Sequence, residues 1–300
     1  MRTTLLSLIF ILAWICVPSS AQDTDLKTLI ETGKYTEAET TAKKLLAKTP
    51  EAGSVRHQLA EVLAITGRYT EAIAEFEHAA NDLQNSNDRP GARLESDLRR
   101  AELLELTGQE DQARSIYESF VKYYTDKDPE TAFELTLIAR ALVHLERFQD
   151  ANDMFREAIE ADSDYLDAHL SAGELFTKKY NYADAAQFLS DALQLNPNSA
   201  RAYLDLALNK RIEGGEEVNA ALNRALAINP NYVEALSLKA ALALEAGQFD
   251  VASTELENAL KINSRSLEAR SLRAAIYYLQ DRDFEPEVAA TVAIGPRYGE

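Results

Sequence analysis

The chain has 300 residues, of which 46% are hydrophobic and 27% charged, and this is the composition of a folded protein rather than a disordered one. Its 49 acidic residues outnumber its 31 basic residues, which gives a formal net charge of −18 at pH 7. Such an excess of acid argues against nucleic acid as a partner, because binding to the phosphate backbone needs clustered Lys and Arg.

The first 21 residues have the features of a secretory signal peptide. Arg2 supplies a positive start, residues 5–17 form a run that is apolar except for Ser7, and small residues lead to Ala21. The run is shorter than the ~20 residues that a spanning helix needs. We therefore predict cleavage after Ala21, a periplasmic or secreted location and no membrane span after signal removal, with an anchored, uncleaved form as the alternative. Cleavage removes Cys16, the only cysteine, so the mature protein can form no disulfide.

Beyond the leader, one short residue pattern recurs at the interval of a helix pair. It consists of a small residue, a bulky apolar residue four positions later and an alanine three positions after that. Its copies include Ala151-Phe155-Ala158, Ala185-Leu189-Ala192 and Ala252-Leu256-Ala259. Small residues let two helices approach closely, and a larger side chain there would cost about 1–3 kcal/mol through overpacking. The repetition indicates a solenoid.

This pattern resembles that of the tetratricopeptide repeat family, from about Asp23 to the end of the chain. Gly33, Gly67, Gly108 and Gly247 also fall where the family's first helix ends and a left-handed residue is needed. The resemblance implies an all-α fold, a right-handed superhelical solenoid of antiparallel helix pairs over residues 22–298. The predicted units are 23–52, 53–90, 92–130, 131–165, 166–199, 200–232, 233–266 and 267–298, with 299–300 starting a further helix.

The sequence offers no constellation of catalytic or metal-binding residues. None of the histidines, His57, His78, His144 and His169, is in the i, i+4 arrangement with an intervening Glu that builds a zinc peptidase helix. A glycine-rich phosphate loop and a nucleophile elbow are absent too, and processing removes the thiol. We predict no enzymatic activity, no metal and no cofactor.

The family resemblance implies a concave groove lined by first-helix residues at repeat positions 2, 5, 9, 12 and 13. In units 2 to 5 these positions are mostly acidic, and in units 6 to 8 they are largely apolar. The predicted partner-binding groove consists of His57, Glu61, Glu95, Glu102, Glu105, Phe133, Arg140, His144, Leu170, Glu174, Arg201, Leu204, Leu208, Arg211, Leu244 and Tyr278.

This groove predicts a protein or peptide partner, basic or amphipathic in character. We expect the Leu204→Asp substitution to weaken partner capture while leaving helicity intact. An alternative for Leu208 and Ile212 is packing against neighbouring helices. The family's carboxylate clamp for chaperone tails needs Lys at position 5 and Asn at position 9, where this chain has His57 and Glu61, so chaperone tails are not the expected ligand.

The closing residues, 282–300, resemble those of long secreted bacterial repeat proteins whose solenoid continues into a peptidase MA-like metallopeptidase domain. The leading hypothesis is a periplasmic or secreted scaffold for protein–protein interaction. The alternative is an N-terminal or accessory part of a secreted metallopeptidase system, with no catalysis in this chain. A third interpretation is a purely structural spacer.

Overall fold

The computed structural model describes residues 26–84 and 89–297, and every regular element within those ranges is an α-helix. The first helices of the eight units are α1 (26–31), α3 (Gly53–Ile65), α5 (Ala92–Leu106), α7 (Ala132–His144), α9 (Leu166–Lys178), α11 (Ala200–Lys210), α13 (Val233–Glu245) and α15 (Leu267–Leu279). The second helices are α2 (Tyr35–Lys48), α4 (Tyr69–Gln84), α6 (Glu110–Lys127), α8 (Phe148–Ala161), α10 (Tyr182–Leu195), α12 (Glu216–Ile228), α14 (Phe249–Ile262) and α16 (Glu285–Ile294).

The helices pack in sequence order. From α2 onward, each first helix contacts the second helix of its own unit, and each second helix contacts the first helix of the next unit. The turns within the units are short, so the two helices of a pair run antiparallel. The predicted all-helical solenoid of helix pairs is confirmed, whereas the predicted unit boundaries stay predictions. The proposed signal peptide, 1–21, and residues 299–300 lie outside the described residues.

The recurring small residues lie where helices cross. In α8, Ala151 and Ala158 are fully buried on either side of Phe155, which is itself 1% exposed. The alanine methyl groups leave room for the neighbouring backbone, and the aromatic ring fills the space between helices. The pattern read from the sequence is therefore the packing pattern of the second helices.

Several first helices begin with a side-chain cap. The hydroxyl oxygens of Thr131, Ser199 and Ser266 accept hydrogen bonds from backbone N–H groups three residues on, at 3.1–3.3 Å. Each bond satisfies a donor that has no partner inside the helix. These caps fix where a unit starts and so keep the helix pairs in register.

Candidate functional site

Ion pairs connect the first helices of units 2, 3 and 4. We call the group of Glu61, Arg99, Glu102, Arg140 and His144 the ionic ladder. Arg99 donates to both carboxylate oxygens of Glu61, at 2.6 and 3.0 Å, and it also pairs with Glu102. Arg140 donates to Glu102 at 2.7 Å. Because the bonds cross from one unit to the next, the ladder fixes the stacking of three units.

The ladder keeps its carboxylates ionised. Burial opposes the charged form of Glu61 and Glu102, but the neighbouring guanidinium groups outweigh it and hold the pKa of Glu61 below, and that of Glu102 well below, the usual range. These two carboxylates are already neutralised by cations of the same chain. The sequence-based expectation that they attract a basic segment therefore loses its physical basis.

His144 ends the ladder between two carboxylates. Its Nδ1 lies 2.8 Å from the Glu105 carboxylate, its Nε2 lies 3.7 Å from Glu102, and its ring stacks on Tyr117 with a centroid distance of 4.6 Å. The Tyr117 hydroxyl donates to Glu105 at 2.9 Å. Burial lowers the pKa of His144, but the neighbouring carboxylates of Glu102 and Glu105 dominate and raise it to about 9.

This pairing predicts a loss of stability at alkaline pH. A histidine whose folded pKa, about 9, exceeds its ordinary 6.5 contributes stability that is fully present below pH 6.5 and disappears as the pH rises to 9. We expect the urea midpoint of the wild type to fall across that interval. In the His144→Gln variant this part of the slope should be missing, and equal slopes in the two proteins would contradict the assignment.

A second charged group joins units 5 and 6. Arg201 donates to Glu174 at 3.1 Å and lies 3.7 Å from both Asp167 and Asp205, and Lys178 donates to Glu174 at 2.8 Å. Burial opposes ionisation of Glu174, but Arg201 and Lys178 lower its pKa to about 2. Burial dominates at Asp205 and raises its pKa to about 7. The group therefore combines one carboxylate whose ionised form is stabilised with one whose ionised form is disfavoured by burial.

Two carboxylates that the sequence analysis did not single out lie in units 7 and 8. Glu234 and Glu268 occupy the second position of α13 and α15, as Arg201 does in α11, and both side chains are exposed. Within the described parts of the chain, neither forms an ion pair. Although the side chains reach solvent, the surrounding helices displace much of the water near the two carboxyl groups, and this desolvation raises the pKa of both. The negative charge of Glu234 raises the pKa of Glu268 further. The signal available in the sequence was their equivalent position, 34 residues apart.

Three predicted groove residues are packing residues instead. Phe133, Leu170 and Leu204 are 7%, 2% and 5% exposed, and all three belong to apolar clusters between helices. The guanidinium of Arg89 also covers the Phe133 ring, 3.5 Å from its centroid. Because Leu204→Asp would place a carboxylate in a core, we expect the substitution to reduce helicity as well as partner capture.

Exposed apolar side chains follow one another across units 6, 7 and 8. We call them the apolar strip; its members are Leu208, Ile212, Leu244, Tyr278 and Leu279. Leu244 is half-buried, and the other four are exposed, with Ile212, Tyr278 and Leu279 each more than half accessible. The alternative that Leu208 and Ile212 are buried by neighbouring helices does not hold. Contiguous exposed apolar surface is a common property of protein-binding sites.

The remaining predicted groove residues contact neighbours within the chain. The pairs are His57 with Ser96 at 2.9 Å, Glu95 with Arg89 at 2.8 Å, and Arg211 with Glu245. Over residues 26–84 and 89–297, no three His, Cys, Asp or Glu side chains are grouped so that they could hold a metal ion. None of the helices in these ranges has both the length and the apolar content needed to cross a membrane.

Comparison with known proteins agrees with the helix-pair architecture. Tetratricopeptide repeat models match residues 29–98, 95–126 and 136–200, together more than half of the chain. The chain therefore belongs to the tetratricopeptide repeat family.

Solved structures show the same fold at low identity. A tetratricopeptide repeat protein from Parabacteroides merdae matches 84% of this chain and 96% of its own, with 15% identity and a TM-score of 0.53. A thermophilic repeat protein from Thermus thermophilus matches 62% of this chain and 99% of its own, with 22% identity and the same TM-score. The Cut9–Hcn1 complex of the APC/C matches 87% of this chain and 49% of its own, with 17% identity and a TM-score of 0.51.

One similar curated protein is the human protein O-mannosyl-transferase TMTC3. It is 32% identical over 104 residues, which are 34% of this chain. The chain spans only 11% of the length of that relative. The similarity thus concerns a short stretch of TMTC3, and it transfers no activity.

Proposed function

We propose that this protein is a scaffold, periplasmic or secreted, which binds a protein or peptide along its first-helix face. The observation that carries the proposal is the apolar strip: Leu208, Leu244 and Tyr278 recur in three consecutive units, and two of them are well exposed. Amphipathic segments bind repeat proteins by placing apolar side chains on such a strip. The location rests on the predicted signal peptide.

Two acidic side chains on the first helices of units 7 and 8 favour a partner that also carries basic residues. Glu234 and Glu268 are exposed and without ion-pair partners in the described residues, whereas the acids of units 2 to 5 are largely paired within the chain. A Lys or Arg side chain near these two carboxylates would favour their ionised forms. We therefore shift the acidic part of the partner site from units 2–5 to units 7 and 8.

Partner capture by the purified protein tests this assignment. We expect Tyr278→Asp to reduce recovery of a bound partner from the producing cell's own extract at least tenfold, because a charge replaces an exposed apolar anchor. Val251→Asp, on the outer side of α14 and 44% exposed, is the matched control and should bind as the wild type does. Both variants should keep the wild-type circular dichroism, and equal capture by both would count against the strip.

A metallopeptidase is the second candidate for the partner. The closing residues resemble those of repeat proteins that precede a peptidase MA-like domain, which favours a zinc peptidase either in the same polypeptide or as a companion subunit. The partner recovered in the capture experiment decides between the two: a His-Glu-x-x-His motif in it supports the peptidase. The absence of any partner in chemical crosslinking would favour the structural spacer.

A further inference from the structure

Units that are five apart in the chain touch each other. The turns within units 1, 2 and 3 contact the chain just after the second helices of units 6, 7 and 8. We call this contact the clasp. One side of the clasp consists of Gly33, Tyr35, Gly67, Tyr69, Gly108 and Glu110, and the other of Asn229, Asn231, Asn263, Arg265, Pro296 and Arg297.

The contact between units 1 and 6 is a small hydrogen-bond network. Asn229 Nδ2 donates to the Tyr35 hydroxyl at 3.0 Å, and that hydroxyl lies 3.4 Å from the Asn231 carbonyl, to which it donates. Asn231 Nδ2 donates to the Gly33 carbonyl at 2.9 Å. Tyr35 and Asn229 are both buried as a result.

The contact between units 2 and 7 repeats this geometry. Asn263 Nδ2 donates to the Tyr69 hydroxyl at 3.1 Å, and Tyr69 donates to the Arg265 carbonyl at 3.2 Å. The Arg265 guanidinium also lies 5.3 Å from the centroid of the Tyr69 ring. The recurrence of the same Tyr–Asn contact in consecutive units shows that it follows from the winding of the superhelix.

The contact between units 3 and 8 uses different side chains. Arg297 pairs with Glu110 at 2.5 Å, on the surface, and the Pro296 ring lies against Gly108. Ile294 and Leu267 share an apolar cluster with Leu103. This end of the clasp therefore combines a solvent-exposed ion pair with a small apolar contact.

Gly33 and Gly67 are needed in the clasp for two reasons: their positive φ, and the lack of space for a Cβ atom. A Cβ atom on Gly33 would collide with the Asn229 amide oxygen, and one on Gly67 would collide with that of Asn263. Units 4 and 5, whose turns are not part of the clasp, carry Glu146 and Tyr180 at the same turn position, with φ of 59° and 61°. In these units the left-handed turn tolerates a side chain.

We propose that the clasp is a reversible closure that controls access of macromolecules to the first-helix face. The contacts between units 1 and 6 and between units 2 and 7 are mainly hydrogen bonds, and the contact between units 3 and 8 adds a small apolar patch, whereas the helix pairs within the units are held by continuous apolar clusters. With the clasp closed, the first helices of units 1–3 and 6–8 enclose that face. This inference rests on the proposed function only for its biological meaning, since the opening itself can be measured without a partner.

A size-selective thiol probe measures the opening. In the full-length chain with Cys16→Ser, Leu208→Cys places a single thiol on the first-helix face. The double variant Tyr35→Phe/Tyr69→Phe removes both clasp hydroxyls but keeps both rings in place. Tyr182→Phe is the matched control, because Tyr182 begins α10 as Tyr35 begins α2 and takes no part in the clasp.

We expect a maleimide carrying a polyethylene glycol chain to label the double variant about 20- to 30-fold faster than the unsubstituted background, at about fivefold for each hydroxyl removed. N-ethylmaleimide, which is small, should label all three proteins at similar rates. Equal rates with the large probe in all three proteins overturn the proposal.

Unfolding is distinguished by a rise in both labelling rates and a fall in helical circular dichroism. In that event Arg297→Ala opens the clasp from its exposed end, with Arg156→Ala, which breaks an exposed ion pair to Asp153 outside the clasp, as the control. Faster labelling by the large probe in Arg297→Ala alone supports the clasp, and equal rates reject it. Failure of partner capture with a positive labelling result would reject the proposed function and leave the clasp standing.

Discussion

Replacing Phe155 with alanine should destabilise the middle of the solenoid by about 3–5 kcal/mol, the usual cost of deleting a fully buried aromatic ring. Phe155 is 1% exposed and lies in a large apolar cluster, together with Ile138 and Leu142 of the preceding helix. The side chains of the neighbouring Ala151 and Ala158 are too short to fill the cavity. The structure can therefore relax only partly.

Urea unfolding followed by circular dichroism, with hydrogen exchange to locate the effect, measures this loss. Exchange should accelerate first in α7 and α8, because a solenoid unit contacts only its neighbours over most of its surface. Val251→Ala, on an exposed part of α14, is the control and should change the stability by less than about 0.5 kcal/mol. A loss in Phe155→Ala no greater than that in the control would disprove the role assigned to the ring.

Replacing Glu102 with glutamine should cost about 2–3 kcal/mol at neutral pH, somewhat less than the loss of one partner from a fully buried ion pair. The Glu102 side chain is 16% exposed, and it contacts Arg99, Arg140 and His144. The amide preserves the shape but removes the charge, which leaves two guanidinium groups and an imidazolium close together. Their repulsion acts between units 3 and 4.

The matched control is Glu77→Gln. Glu77 pairs with Arg100 at 3.3 Å but is 52% exposed, so its loss should cost at most about 1 kcal/mol. The titration of His144 by NMR gives an independent readout: its pKa should fall from about 9 towards 6.5 in Glu102→Gln and stay unchanged in Glu77→Gln. If the two variants were equally stable and His144 titrated alike in both, the ionic ladder would have no role in stability.

Much of the fold follows from local patterns. The spacing of Ala151, Phe155 and Ala158 predicts a second helix that packs at close range, and its recurrence identifies the repeat family. The left-handed turns after the first helices were predicted from Gly33 and Gly67, although Glu146 and Tyr180 take up the same conformation without glycine. These features depend on residues within one unit or its immediate neighbours, and so they can be predicted from one sequence.

The candidate site was predicted less well. Repeat positions identified Leu208 and Tyr278, which are exposed, but also Leu170 and Leu204, which are buried. Position along a helix fixes which way a side chain points, whereas burial depends on how the next unit stacks. A search for opposite charges one unit apart could have found the Glu61–Arg99 bond, because its partners lie 38 residues apart in consecutive first helices.

The sequence alone determined the helix pairs, their number and the small residues at which they cross, because each of these depends on contacts close in the chain. Only the tertiary structure decided which charges neutralise one another and that unit 1 meets unit 6. The small rotation from each unit to the next accumulates over five units, and the total rotation cannot be predicted from any local sequence pattern. The bond between Tyr35 and Asn229, 194 residues apart, exists only because of that accumulated rotation.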